Sequence, residues 1–98
     1  PTKLGHFNEN TWGAYLLGTE LFLKRYKADA DQTYPDMGCS FETFADAEML
    51  EIETLGPLAA VEPGQWLEHV EHWWLHRNVT VPDWTDAGLD AALSGTLV

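Results

Sequence analysis

The fold class follows from residues 12–26, which read WGAYLLGTELFLKRY. Two runs rich in aromatic and aliphatic side chains, Trp12–Leu17 and Glu20–Tyr26, flank the dipeptide Gly18-Thr19. Such runs around a short polar break predict a β-hairpin. A two-residue hairpin loop needs a positive φ angle, which glycine adopts without steric cost. The stretch therefore predicts two antiparallel strands joined at Gly18.

Working outward from this hairpin, short apolar runs alternate with turn residues along most of the chain. We expect a second strand pair, Cys39–Phe44 and Met49–Leu55, in which Leu50 and Ile52 lie on the opposite face from Glu51 and Glu53. A polar loop is predicted before this pair, at 27–38, and a further short strand after it, at 58–61. A helix is predicted from Asp83 or Thr85 through Leu93.

Gln65–Arg77 fits two interpretations. Leu67, Val70 and Trp74 have helical spacing, but the run is aromatic and follows a tight turn without a helix N-cap, so a strand is favoured. With that strand, the 98 residues predict one all-β domain at 1–98. Its expected architecture is an antiparallel β-sandwich, as part of a supersandwich, with a short C-terminal helix.

Charge and composition exclude several classes of partner. The chain has 5 basic and 16 acidic residues and a net charge of −11, which opposes binding to nucleic acid or to an anionic membrane surface. No apolar run approaches the roughly 18–20 residues that cross a bilayer, and we expect no signal peptide. With Cys39 alone there is no internal disulfide, and we expect a cytoplasmic protein without a cofactor.

Histidine and glutamate cluster near the end of the chain. On a helix His69, His72 and His76 would share a face and indicate a metal site, whereas on a strand His69 is separated from the other two. Because the strand is favoured, no metal is expected. Glu42, Glu51 and Glu53 lie in the predicted second strand pair. A pair of carboxylates flanking a sugar can act as general acid and base, whereas acids on a strand more commonly lie on its solvent face.

Several stretches, taken in order, carry a resemblance to a known family. They are Lys3-Leu4-Gly5, Trp12–Tyr15, Phe22–Tyr26, Leu50–Leu58, Val61–Gly64 and Glu68–Trp73. In this order they resemble the C-terminal portion of a bacterial member of the galactose mutarotase-like (aldose 1-epimerase-like) superfamily. The resemblance covers Lys3–Arg77 and implies a β-sandwich that binds a small carbohydrate on a concave sheet face.

The resemblance also implies roles for individual residues. Glu53, in a Glu-Thr pair ahead of a Pro-Gly turn, is the position expected to match the catalytic base, and Glu42 is its rival. We expect Glu53 to face the concave surface. The expected ligand contacts lie in the stretches that carry the resemblance: Trp12, Lys24, His72 and Trp73. The family's acid histidine has no counterpart here, so whether the chain is an enzyme stays open.

The leading hypothesis is accordingly a carbohydrate-binding module without catalysis of its own. Two alternatives remain: a protein-interaction or oligomerisation module with no sugar ligand, and an epimerase site completed by a second copy. A homodimer is expected in each case, because Leu21 and Leu23 on one face of the second strand oppose Phe22 and Tyr26 on the other. One small core does not cover both faces, and large uncovered apolar faces are rare on soluble monomers.

Overall fold

The computed structural model describes residues 1–97; Val98, the last residue of the predicted domain, lies outside the described residues. The described chain forms strands β1 to β6 and two short helices, α1 and α2. Their bounds are β1 Thr2–His6, β2 Trp12–Leu17, β3 Glu20–Tyr26, α1 Pro35–Gly38, β4 Phe41–Ala45, β5 Leu50–Thr54, β6 Glu71–His76 and α2 Asp86–Leu93.

The strands form two three-stranded sheets, and every pairing in them is antiparallel. One sheet has the order β1-β4-β5 and is called the β4 sheet after its central strand. The other has the order β2-β3-β6 and is called the β3 sheet. The predicted sandwich-like all-β fold with a short C-terminal helix is thereby confirmed.

The hairpin has the predicted bounds, with Gly18 at a φ of 62° in its turn. The prediction of a strand at 58–61 is wrong, because these exposed residues have no regular structure. Within Gln65–Arg77 only Glu71–His76 forms a strand, and the residues before it are irregular. The structure adds β1, which pairs with β4, and the short turn α1 inside the predicted loop, where Asp36 and Met37 have left-handed φ angles of 52° and 64°.

The buried core lies on one face of the β3 sheet. Leu21 packs there with Val79 and Leu93, and further apolar side chains surround them: Trp12, Ala14, Leu16, Leu89 and Leu97. The helix α2 covers this face and is capped by Thr85, whose hydroxyl accepts a hydrogen bond from the Gly88 N–H at 3.1 Å. Neither helix within residues 1–97 has the length and apolar character needed to span a membrane.

Candidate functional site

The other face of the β3 sheet meets the β4 sheet, and the space between the two sheets opens at one end into a cleft. Its volume is about 390 Å3. The inter-sheet cleft is lined by Tyr15, Phe22, Lys24, Leu50, Ile52 and Trp73. Alternation along the strands explains this lining, since Tyr15 pairs with Phe22 and Lys24 pairs with Trp73, and paired residues project to the same face.

Aromatic rings form the β3-sheet wall of the cleft. The side chain of Trp73 is 64% exposed and that of Tyr15 is 41% exposed. Phe22 contacts Trp73 edge to face, with ring centroids 5.5 Å apart, which is a favourable aromatic arrangement. The indole of Trp73 is therefore supported by its neighbour and still open to a ligand.

Lys24 supplies the cationic group of the cleft and joins the two sheets. Its ammonium donates to the main-chain carbonyl of Ile52 at 2.8 Å and to the carboxylate of Glu71 at 3.2 Å. It also lies 5.5 Å from the centroid of the Trp73 ring, within the range of a cation–π contact. An ammonium has three N–H donors, so one remains for a ligand oxygen.

Glu71 organises the polar side of the cleft. Its carboxylate accepts hydrogen bonds from Lys24, from the Trp73 Nε1–H at 3.1 Å, and from the Thr54 hydroxyl. Thr54 in turn lies 2.7 Å from His69 Nε2. Partial burial alone would raise the pKa of Glu71, but the hydrogen bonds from Thr54, Trp73 and Lys24 outweigh it and hold the pKa below 4.5. The carboxylate is thus kept ionised.

At its other end the inter-sheet space is closed. Ser40 is fully buried there, its hydroxyl accepting from the Asn8 N–H at 2.9 Å and lying 3.2 Å from the Tyr26 hydroxyl. Phe41 stacks near Tyr26 and lies so close to Gly13 that a β-carbon at residue 13 would be 2.3 Å from Phe41 Cζ. Glycine at this position lets the sheets approach each other.

Of the sequence-predicted ligand contacts, the structure brings Lys24 and Trp73 together in the cleft. Trp12 and His72 lie elsewhere. Both pair with Arg25, and these three side chains project to the opposite face of the β3 sheet. Trp12 packs there against the buried core. His72 lies beside Trp74, with ring centroids 6.0 Å apart.

The two candidate catalytic glutamates are paired with each other across β4 and β5. They project from the face of the β4 sheet that does not carry Ile52. Glu53 therefore does not face the cleft, although the sequence predicts it on a concave surface. Lys3 Nζ is 3.3 Å from a carboxylate oxygen of each. A hydrogen bond with Asp36, together with burial, raises the pKa of Glu42.

The histidines are separated as the strand interpretation predicts. His69 precedes β6 and contacts Thr54, whereas His72 and His76 lie within β6 on the face away from the cleft. Among residues 1–97 no group of three or more histidine, cysteine or acidic side chains converges in a geometry suited to a metal ion.

Sequence reasoning missed several groups of the cleft: Tyr15, Phe22, Leu50, Ile52, Thr54 and Glu71. The alternation of side chains along a strand places Phe22 and Lys24 on one face of β3, and this was the signal of the cleft that the sequence offered. The pairing of β3 with β6 then adds Glu71 and Trp73, and that register is a long-range feature.

Comparison of the chain with models of protein families, with curated proteins and with solved structures found no match.

Proposed function

We propose that this chain is a carbohydrate-binding module that holds a neutral sugar in the inter-sheet cleft. The observation that carries the proposal is the exposed Trp73 indole beside the Lys24 ammonium. A sugar ring has an apolar face of C–H groups and a rim of hydroxyls, so it needs an aromatic surface and nearby polar groups together. Ligand sites generally combine apolar walls with a few placed polar groups in this way.

The wall and the polar groups would act on different parts of the sugar. Trp73 and Tyr15 would stack against the C–H face, since both rings are open to solvent. Lys24 would donate its remaining N–H to a ring or hydroxyl oxygen. The position of Lys24 is already fixed by Ile52 and Glu71, so little side-chain entropy is lost when the sugar binds.

Catalysis is not part of the proposed function. Glu42 and Glu53 lie on the face of the β4 sheet away from the cleft, bound to Lys3. General acid–base catalysis needs its groups within hydrogen-bond reach of the reacting atoms, about 2.6–3.2 Å. A sugar in the cleft would be separated from both carboxylates by the β4 sheet itself.

Titration with common aldoses, followed by two-dimensional NMR, tests the proposal. We expect shifts in the Trp73 indole N–H and in the amides of Tyr15 and Phe22, saturating with a dissociation constant of about 1–10 mM. The variant Trp73→Ala should abolish these shifts. Trp84→Ala is the matched control, because Trp84 is similarly exposed, at 70%, and lies outside the cleft lining.

Two results would contradict carbohydrate binding in the cleft. The first is an absence of shifts with every aldose at concentrations about tenfold above that range. The second is a set of shifts that Trp84→Ala removes and Trp73→Ala leaves unchanged. In that case the sugar binds at another exposed indole.

A further inference from the structure

The strand β6 is an exposed apolar edge. It is the outer strand of the β3 sheet, so half of its main-chain N–H and C=O groups point away from the sheet. Its central side chains are open to solvent: Trp73 is 64%, Trp74 42% and Leu75 78% exposed. Proteins protect such edges with lysine, proline or a bulge, and β6, which reads EHWWLH, has no lysine or proline.

We propose that two copies of this chain pair antiparallel through β6, which joins their β3 sheets into a continuous six-stranded sheet. A two-fold axis perpendicular to the sheet keeps both copies the same way up. Residues opposite each other then project to the same face only if their numbers differ by an even number. The axis must therefore lie level with a residue and not between two neighbouring residues. This leaves few registers to compare.

The register with Trp74 on the axis is the one that matches side chains best. It sets Trp73 opposite Leu75 of the second copy, an aromatic–aliphatic pair. It also sets Glu71 opposite Arg77 of the second copy, the residue that directly follows β6. This attractive pair of opposite charges occurs twice by symmetry. With Trp73 on the axis, Glu71 would instead face Leu75, which matches neither charge nor polarity.

Two other edge strands, β5 and β2, fit self-pairing less well. If two copies of β5 paired about a two-fold axis near its centre, Glu51 would lie opposite Glu53 of the second copy, or one of them would lie opposite the same residue of the second copy. Like charges directly opposite each other are destabilising. In β2 the side chains of Trp12, Ala14 and Leu16 already pack against the buried core. β6 therefore combines the most exposed apolar side chains with a complementary charge pattern.

Pairing through β6 would bring the two cleft walls together. Trp73 and Leu75 lie on the face of the β3 sheet that carries Phe22 and Tyr15. The dimer would thus align the aromatic rows of both copies on one side of the six-stranded sheet. The net charge of −11 on each copy opposes association, but salt at about 0.15 M limits that repulsion to distances of about 8 Å.

Light scattering coupled to size-exclusion chromatography tests this interface without any sugar. At micromolar concentration we expect twice the mass of one chain. Leu75→Lys should raise the dissociation constant of the dimer about 100-fold, because it removes the apolar contact with Trp73 of the second copy and because a lysine in an edge strand opposes strand pairing. Leu17→Lys is the matched control, since Leu17 is similarly exposed, at 67%, in the opposite edge strand of the same sheet.

A second variant examines the register. Arg77→Glu sets two carboxylates opposite each other twice, so the dissociation constant should rise about tenfold, whereas Arg77→Lys should preserve the dimer. Circular dichroism checks that each variant retains its fold. A monomeric wild-type chain, a dimer that Leu17→Lys disrupts while Leu75→Lys does not, or equal effects of both Arg77 variants would overturn the proposal.

Discussion

The two ends of the inter-sheet space use the same pair of sheets and reach opposite outcomes. At the closed end Ser40, Tyr26 and Asn8 form buried hydrogen bonds, and Phe41 fills the room that Gly13 leaves. At the open end large side chains line both walls but do not meet, so Tyr15 and Trp73 stay exposed. The difference does not lie in hydrophobicity, because both ends are aromatic.

Side-chain size and polar bridging explain the contrast. A glycine faces an aromatic ring at the closed end, and one sheet can settle onto the other. At the open end Lys24 and Glu71 hold the sheets through a polar bridge, and beyond the bridge the aromatic wall of the β3 sheet stays separated from Leu50 of the β4 sheet by the cleft. A sandwich that is closed at one end and held by a polar bridge in the middle therefore keeps an open cleft at its other end.

The largest effect is expected from Phe41→Ala, at the closed end. Removing a partly buried ring leaves a cavity between the sheets, and the free energy of unfolding should fall by about 2–4 kcal/mol. Phe22→Ala is the matched control at the open end, where the ring borders solvent and the loss should be about half as large. Urea unfolding measures both, and equal losses would mean that the two ends do not differ in packing.

A smaller loss is expected from Ser40→Ala. The hydroxyl of Ser40 accepts the Asn8 N–H within a fully buried site, so the substitution leaves that donor without a partner. An unsatisfied buried group costs about 1–3 kcal/mol. Ser94→Ala, at the exposed end of α2, should change stability by less than about 0.5 kcal/mol. Similar urea midpoints for the two variants would contradict the sealing role of Ser40.

Local alternation made much of the fold predictable. It located the β2–β3 hairpin with its bounds, and it separated Leu50 and Ile52 from Glu51 and Glu53 on β5. β1 was not recognisable, because all five of its residues are exposed and it becomes a strand only by pairing with the distant β4. The apolar run at 58–61 has no such partner strand and stays irregular.

The candidate site was predictable only in part for the same reason. Lys24 and Trp73 are neighbours because β6 pairs with β3 in one particular register, and no local pattern specifies that register. Which face of β5 meets the other sheet was equally hidden. The resemblance assigns Glu53 to a concave face, whereas Ile52 lines the cleft.

Acid should weaken the polar bridge between the sheets. The pKa of Glu71 is lowered in the folded state, so its carboxylate contributes stability above the ordinary pKa of 4.5, and this is lost as the pH falls through the lowered folded value. At neutral pH Glu71→Gln should therefore cost about 1 kcal/mol. The difference between wild type and variant should disappear in acid.

Urea unfolding of both proteins from neutral pH to well below 4.5 measures this difference. Glu62→Gln, in an exposed turn, is the control for loss of one negative charge from a chain of net charge −11. A difference between wild type and Glu71→Gln that stays constant with pH would contradict the role of the Glu71 charge in the bridge.

The smallest change in stability is expected from Tyr15→Ser, at the mouth of the cleft. Tyr15 is 41% exposed and lines the open cleft, so stability should stay within about 0.5 kcal/mol of wild type. Affinity for a sugar should nevertheless fall about 2- to 10-fold, because one stacking surface is lost. Leu17→Ser, two residues along the same strand face but outside the cleft lining, should leave affinity unchanged. A stability loss as large as that of Ser40→Ala would mean that Tyr15 seals the sheets, and that the two ends of the sandwich are alike.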